Sequence, residues 1–198
     1  MRKFAPIASV CTVLLSAILG HTQQIDFAIG GGTTLASRPS TSSLAAPPPA
    51  EKGGLYPSIA ADVLLRNRIG LNVETSWRWK QGNYYGYEKY RPILTDVNAL
   101  FQPKLSKKAG LDFMGGVGLA SNRFYLPGNT ACFAPIGTCY VSANHFMEHL
   151  SAGLRYYAWR NFFVRPEIHY YHIQNNFEFN SDNLFRAAVS VGYTFGRR

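Results

Sequence analysis

The chain has 198 residues, 46% of them hydrophobic, 14% aromatic and 16% charged, with a formal net charge of +9. These values exclude a disordered tail, a coiled coil and a disulfide-packed miniprotein, and the length suits one domain. The 12 Tyr and 13 Phe, set among Gly, Thr, Asn and Val, favour strands over helices.

Arg2 and Lys3 precede an uncharged run from Phe4 to Gly20 that includes Val10, Val13, Leu14, Leu15, Ile18 and Leu19. A basic start before a short apolar stretch reads as a secretory signal peptide cleaved near Thr22, leaving residues 23–198 as the barrel domain described below. The run is shorter than the roughly 20 residues of a spanning helix. Cys11 lies inside it and not just after it, which excludes a lipoprotein. Cleavage leaves Cys132 and Cys139, separated by Pro135 and Gly137, and in an oxidising compartment this pair is expected to close a surface loop as a disulfide. Two thiols without a CxxC or a nearby His pair make a poor metal site, so neither metal nor cofactor is expected.

Period-two alternation then recurs in chain order at Ile25–Leu35, Tyr56–Arg66, Ile69–Lys80, Tyr90–Phe101, Gly110–Asn122, Phe146–Trp159, Phe162–Tyr171 and Phe185–Phe195. The third segment is the clearest. Ile69, Leu71, Val73, Thr75, Trp77 and Trp79 share one face, and Gly70, Asn72, Glu74, Ser76, Arg78 and Lys80 the other. A strand separates these two sets, whereas a helix scatters them. About eight such segments predict an all-β fold, a closed antiparallel up-and-down transmembrane barrel of the smallest size.

The connections alternate in length. Those around 37–55, 81–89, 122–144 and 174–183 are long, those at Asn67 and Asn161 are turns, and 102–109 is intermediate. Short periplasmic turns and long outer loops put both chain ends on the periplasmic side. The first outer loop then holds Pro47, Pro48 and Pro49, read as a flexible loop, and the third holds the cysteine pair.

Alternation alone does not distinguish a membrane barrel from a soluble, lipocalin-like one. The polar face carries Asp62, Arg66, Glu74, Arg78, Asp96, Asp112, Arg155, Arg165, Glu167 and Arg186, interleaved with Gly116, Gly118, Ser151, Gly153, Ser190 and Gly192. Charges of both signs among small residues suit a narrow lumen in which they pair. Trp77, Trp79, Tyr84, Tyr85, Tyr87, Tyr156, Tyr157, Trp159, Tyr193 and Phe195 gather near strand ends, as interfacial girdles require. Arg66, Arg68, Lys104, Lys107, Lys108, Arg160, Arg197 and Arg198 are spread over turns and the terminus at one predicted end. That spread fits contact with anionic lipid headgroups and not a nucleic-acid groove.

Gly153-Leu154-Arg155-Tyr156-Tyr157, Phe162-Phe163-Val164-Arg165-Pro166-Glu167 and the terminal Gly192-Tyr193-Thr194-Phe195 resemble the OmpA-like outer-membrane β-barrel family. The resemblance implies a bacterial outer-membrane location among lipid and lipopolysaccharide, and an aromatic near the C-terminus read by the barrel-assembly machinery. Here Gly196, Arg197 and Arg198 follow that aromatic. The segment His172-Ile173-Gln174-Asn175-Asn176 is similar to the His-x-Ser-Asn-Ala element of the lipid A deacylases. That family's nucleophile is Ser and its base His, but Gln174 stands at the serine position, and an amide cannot replace the hydroxyl. Ser181 with His172 and Asp182 is the remaining candidate set, while His169, with Glu167 and Tyr171, faces the predicted lumen. Gly30-Gly31-Gly32 and Gly115-Gly116-Val117-Gly118 open no helix and are read as strand packing. The expected function is that of a monomeric, non-enzymatic envelope protein whose filled interior makes a poor pore. A lipid A hydrolase and a soluble ligand-binding barrel are the alternatives.

Overall fold

The computed structural model describes residues 24–36, 51–65, 68–86, 88–125, 139–179 and 181–196. Its strands are β1 (Gln24–Ala36), β2 (Tyr56–Leu64), β3 (Ile69–Trp77), β4 (Gly82–Tyr84), β5 (Glu88–Phe101), β6 (Ala109–Tyr125), β7 (Tyr140–Trp159), β8 (Phe162–Ile173) and β9 (Asn183–Phe195). All pair antiparallel in the order β3-β2-β1-β9-β8-β7-β6-β5-β4, and a β3–β5 ladder joins the two ends. Eight strands therefore form a closed barrel, with β4 as a short flap on the edge of β5. β4 lies within the connection over 81–89 that the sequence pattern marks as a loop. The seam between chain ends runs from Ile25↔Phe195 to Ala36↔Leu184.

The two-residue period becomes the wall of the barrel. Along β3 exposure and burial alternate without a break until Glu74, and β5, β8 and β9 behave alike. Tight connections close one end. Leu65 N–H donates to the Ile69 carbonyl at 2.8 Å, and Arg68 and Arg160 take left-handed φ values of 67° and 45°. Between β5 and β6, Ser106 Oγ accepts from the N–H groups of Lys108 and Ala109 at 3.2 and 3.0 Å, which makes this connection a compact turn.

At the other end β6 and β7, 17 and 20 residues long, stay paired up to Tyr125↔Tyr140. A spanning strand needs only about 9–11 residues. The hairpin thus projects past the rim and takes up 122–125 and 140–144 of the loop expected over 122–144. On β6, a Cβ at Gly116 or Gly118 would fall 2.1 or 2.2 Å from a β5 carbonyl oxygen, so only glycine lets the two strands approach this closely.

The wall is apolar outside and polar inside. Ile29, Ile168 and Leu150 are 70%, 63% and 59% exposed, while Arg155, Arg165 and Arg186 are 0% exposed. A soluble lipocalin-like barrel needs the opposite arrangement, so that alternative is corrected by the direction of these side chains. Trp79, Tyr156, Trp159, Phe162 and Phe195 project outward near the rims. Two residues assigned to the girdles do not. Tyr84 packs across the outer mouth against Phe124 and Phe179, and Tyr157 faces Gln24 and Thr194 at the inner mouth. Residues 1–22, Pro47–Pro49, Arg66, Tyr87, Cys132, Arg197 and Arg198 lie outside the described residues.

Candidate functional site

The lumen is filled in layers, and each layer draws on strands far apart in sequence. Nearest the chain ends, Arg155 on β7 reaches three aspartates from three other strands. It donates to Asp26 on β1, to Asp62 on β2 at 2.6 Å and, through Nε, to Asp112 on β6 at 2.9 Å. Arg165 on β8 lies 3.0 Å from Asp62, 3.4 Å from Asp112 and, through Nε, 2.9 Å from Glu167. The Arg155 guanidinium also sits 4.1 Å over the Phe163 ring. Neutral amides complete the carboxylates: Asn72 donates to Asp62 at 2.6 Å, Gln102 to Asp112 at 3.0 Å and Gln24 to Asp26 at 2.9 Å. Opposite charges in contact offset a desolvation cost that either sign alone could not bear. Below this layer a recess of about 550 Å³, lined in part by Gln24, Gln102, Lys104 and Tyr157, opens at the inner mouth and ends on Arg155.

The next layer is a chain of hydrogen bonds across the barrel. Arg186 donates to Glu74, and its Nη2 lies 3.0 Å from His169 Nε2. An arginine can only donate, so His169 accepts at Nε2 and holds its proton on Nδ1. That proton faces His149 Nε2 at 3.0 Å, which places the His149 proton on Nδ1, 2.8 Å from Asn98 Oδ1 and 3.2 Å from Asp96. Asn98 in turn donates to Asp96 at 2.5 Å and to Asn72 at 2.8 Å, joining the two layers. Tyr171 stacks on His149 with ring centres 4.6 Å apart. Both nitrogens of both histidines are engaged, which leaves neither ring as an unoccupied base.

Among the described residues Glu74, Glu167 and His169 bring ligand atoms within 4.8 Å of one another. Arg186 bonds to two of these three groups, so a permanent guanidinium charge already supplies the cation that such a cluster would otherwise attract.

Outward of the histidines the lumen turns apolar. Leu94, Ala120, Met147, Tyr171, Ile173 and Leu184 form one buried cluster, and Tyr90, Phe124 and Phe179 a second above it. Arg78, placed by sequence in the lumen network, instead sits at this outer rim, donating to the Tyr90 hydroxyl at 2.5 Å. Beside it Glu51, from the first outer loop, accepts from Tyr56 at 3.0 Å and is 2% exposed. Burial pushes the Glu51 carboxyl up to about 7, against the lowering effects of the Tyr56 hydrogen bond and the Arg78 charge.

Of the ten residues assigned to the network, Asp62, Glu74, Asp96, Asp112, Arg155, Arg165, Glu167 and Arg186 are brought together in the two polar layers, and Arg66 is outside the described residues. Asp26, Asn98 and His149 were not assigned, although each shares the inward parity of its strand and is buried to within 1%. The deacylase-like histidine lies elsewhere. His172 Nδ1 is 3.3 Å from Asn183 Oδ1, while Gln174 donates to Glu148 at 3.3 Å. Ser181 Oγ donates to the Asn183 carbonyl and Asp182 accepts from the Asn176 N–H, so these hydrogen bonds do not join Ser181 and Asp182 to His172.

No family model matches the sequence, and no curated protein matches it. Solved structures do match. Neisserial surface protein A (NspA) aligns with a TM-score of 0.62 at 11% identity, covering 89% of this chain and 99% of its own. The chain has the fold of the small outer-membrane barrels. Ail, the attachment invasion locus protein of Yersinia pestis, solved with the heparin analogue sucrose octasulfate, gives 0.59 at 13% identity, covering 87% of this chain and 98% of its own. The N-terminal β-barrel domain of Pseudomonas aeruginosa OprF gives 0.54 at 15% identity, covering 88% and 99%. These likenesses concern the fold.

Proposed function

We propose that the chain is a non-enzymatic β-barrel protein of the bacterial outer membrane, exported by an N-terminal signal peptide, that serves a structural or surface-interaction role in the cell envelope as a monomer. The observation that carries this reading is the inverted wall: an apolar exterior around a lumen whose buried charges are paired. A filled interior supports anchoring and display over transport, because both the guanidinium–carboxylate layer and the apolar layer lie across the path of a solute. Outer-membrane lipid and lipopolysaccharide are the surroundings such a wall fits. Cys132 and Cys139 are the proposed staple of the third outer loop. Phe195, which faces outward on the closing strand and contacts Phe27 edge-on at 6.0 Å, is the aromatic offered to the barrel-assembly machinery.

Electrophoresis of isolated outer membranes in mild detergent tests the reading. The expected result is a band in that fraction whose mobility changes on boiling. Release into the soluble periplasmic fraction without detergent would overturn it. Unchanged lipid A acylation on overexpression is the outcome expected against the hydrolase alternative.

A further inference from the structure

On the outside of the barrel, Arg91 of β5 and Arg123 of β6 are direct register partners. Like charges facing each other across an antiparallel ladder destabilise it. Lys89, next on the same face of β5 and paired with Tyr125, adds a third positive charge. Among the described residues no carboxylate forms an ion pair with these three. Arg91 donates to the Trp79 carbonyl at 3.3 Å and lies 6.0 Å over Tyr125, Arg123 lies 4.7 Å over Tyr140, and Lys89 donates to Asn83. The two tyrosine rings are 5.9 Å apart, so they brace the guanidinium groups side by side. The Nε atoms of both arginines are buried without a hydrogen-bond partner, so nothing beside them offsets the two charges. A braced pair of like charges without a counter-charge lacks an anion.

Its position says which anion. Toward the barrel waist the same faces continue through Ile93, Thr95 and Val97 on β5 and through Ser121, Leu119 and Val117 on β6, with Val97, Leu119 and Val117 about half exposed. Trp79 and Tyr140 flank the cations, 57% and 46% exposed, at the level of an interfacial girdle. The cluster thus lies where an apolar belt meets headgroups, and two planar forks match the oxygens of a phosphate.

We propose that Arg91, Arg123 and Lys89 form a binding site for the phosphate of an outer-leaflet lipid headgroup, with that lipid's acyl chains lying along Ile93, Val97, Val117 and Leu119. The site rests on the outer-membrane reading above.

The test folds the full mature chain into phosphatidylcholine vesicles and titrates bisphosphorylated lipid A, or the same lipid with its phosphates removed, reading the shift in unfolding temperature. Arg91→Gln with Arg123→Gln is expected to weaken the phosphorylated lipid at least about tenfold, the worth of two charge-assisted hydrogen bonds. It should leave the dephosphorylated lipid unaffected. Should the double variant fail to give a heat-modifiable band, Arg123→Gln alone carries the titration, with a smaller loss expected. Equal affinity in the variant, or equal binding of the dephosphorylated lipid, would overturn the site. Displacement of the lipid by inorganic phosphate at comparable concentration would also overturn it, in favour of a free-anion site. A wild-type chain that does not insert into vesicles brings down the membrane reading and the site together. One that inserts without any preference for phosphate brings down the site alone.

Discussion

The two halves of the lumen solve one packing problem by opposite means. The half near the chain ends is filled mainly by Asp26, Asp62, Asp112, Arg155 and Arg165, with Leu64, Leu100 and Met114 beside them, the outer half mainly by Leu94, Met147, Ile173, Tyr90, Phe124 and Phe179. Charged side chains from β1, β2, β6, β7 and β8 satisfy one another only when all five strands are in register, so the inner half specifies closure. Apolar side chains tolerate small slips and need no particular partner, so the outer half acts as a seal. A guanidinium that bonds to three carboxylates costs much to desolvate but ties strands together that are not adjacent in sequence. An apolar plug contributes burial with less geometric demand.

Removing Arg155 breaks this contrast most severely. Arg155→Met leaves three buried aspartates with a single arginine close by, and losing one partner of a buried ion pair costs about 3–5 kcal/mol. Urea titration of the vesicle-folded barrel should show that loss, or no closed species at all. The plug gives the second largest effect. Leu94→Ala should cost about 2–5 kcal/mol as a cavity. Planar-bilayer conductance should stay at baseline, because the charged layer still blocks the path.

At the outer mouth, Glu51 sharpens the comparison through pH. Its carboxyl is raised from 4.5 to about 7, so between these values the folded state holds a proton that the unfolded state releases. The stabilising effect is complete below 4.5 and is lost as pH rises to about 7, a swing of about 3 kcal/mol for the full shift. Glu51→Gln should flatten the pH dependence of the thermal midpoint over that interval. The smallest effect distinguishes the two sides of the wall. Val189→Asp, on the exterior, should cost about 2 kcal/mol or less. Ser190→Asp, opposite Arg165, should be felt through its pairing with that guanidinium.

The barrel was legible because period-two alternation is a property of neighbouring residues, and each strand carries its own copy. The flap β4 was not, since Gly82–Tyr84 is too short to alternate and is held by its ladder to β5. Most charged members of the lumen network were legible as polar residues of inward parity. Asp26 and His149 carried the same parity but sit among Ala28, Gly30, Ser151 and Gly153, and small neighbours make a polar face inconspicuous. Which carboxylate meets which arginine depends on closure of the barrel, and no single segment encodes that. The aromatics at the two mouths were misplaced for a related reason. Tyr84 and Tyr157 lie near strand ends like girdle residues, and only the pleat decides whether such a ring points to lipid or to lumen.

Depth-resolved quenching of a single tryptophan at Val97, with Trp77, Trp79 and Trp159 replaced by Phe, tests the inverted wall most directly. Val97 is 51% exposed on the outward face of β5. In vesicles its fluorescence should be quenched by lipids brominated in mid-chain and be insensitive to aqueous iodide. A tryptophan there that ignores brominated lipid, whether reached by iodide or sheltered from both, would contradict an apolar face turned to the membrane.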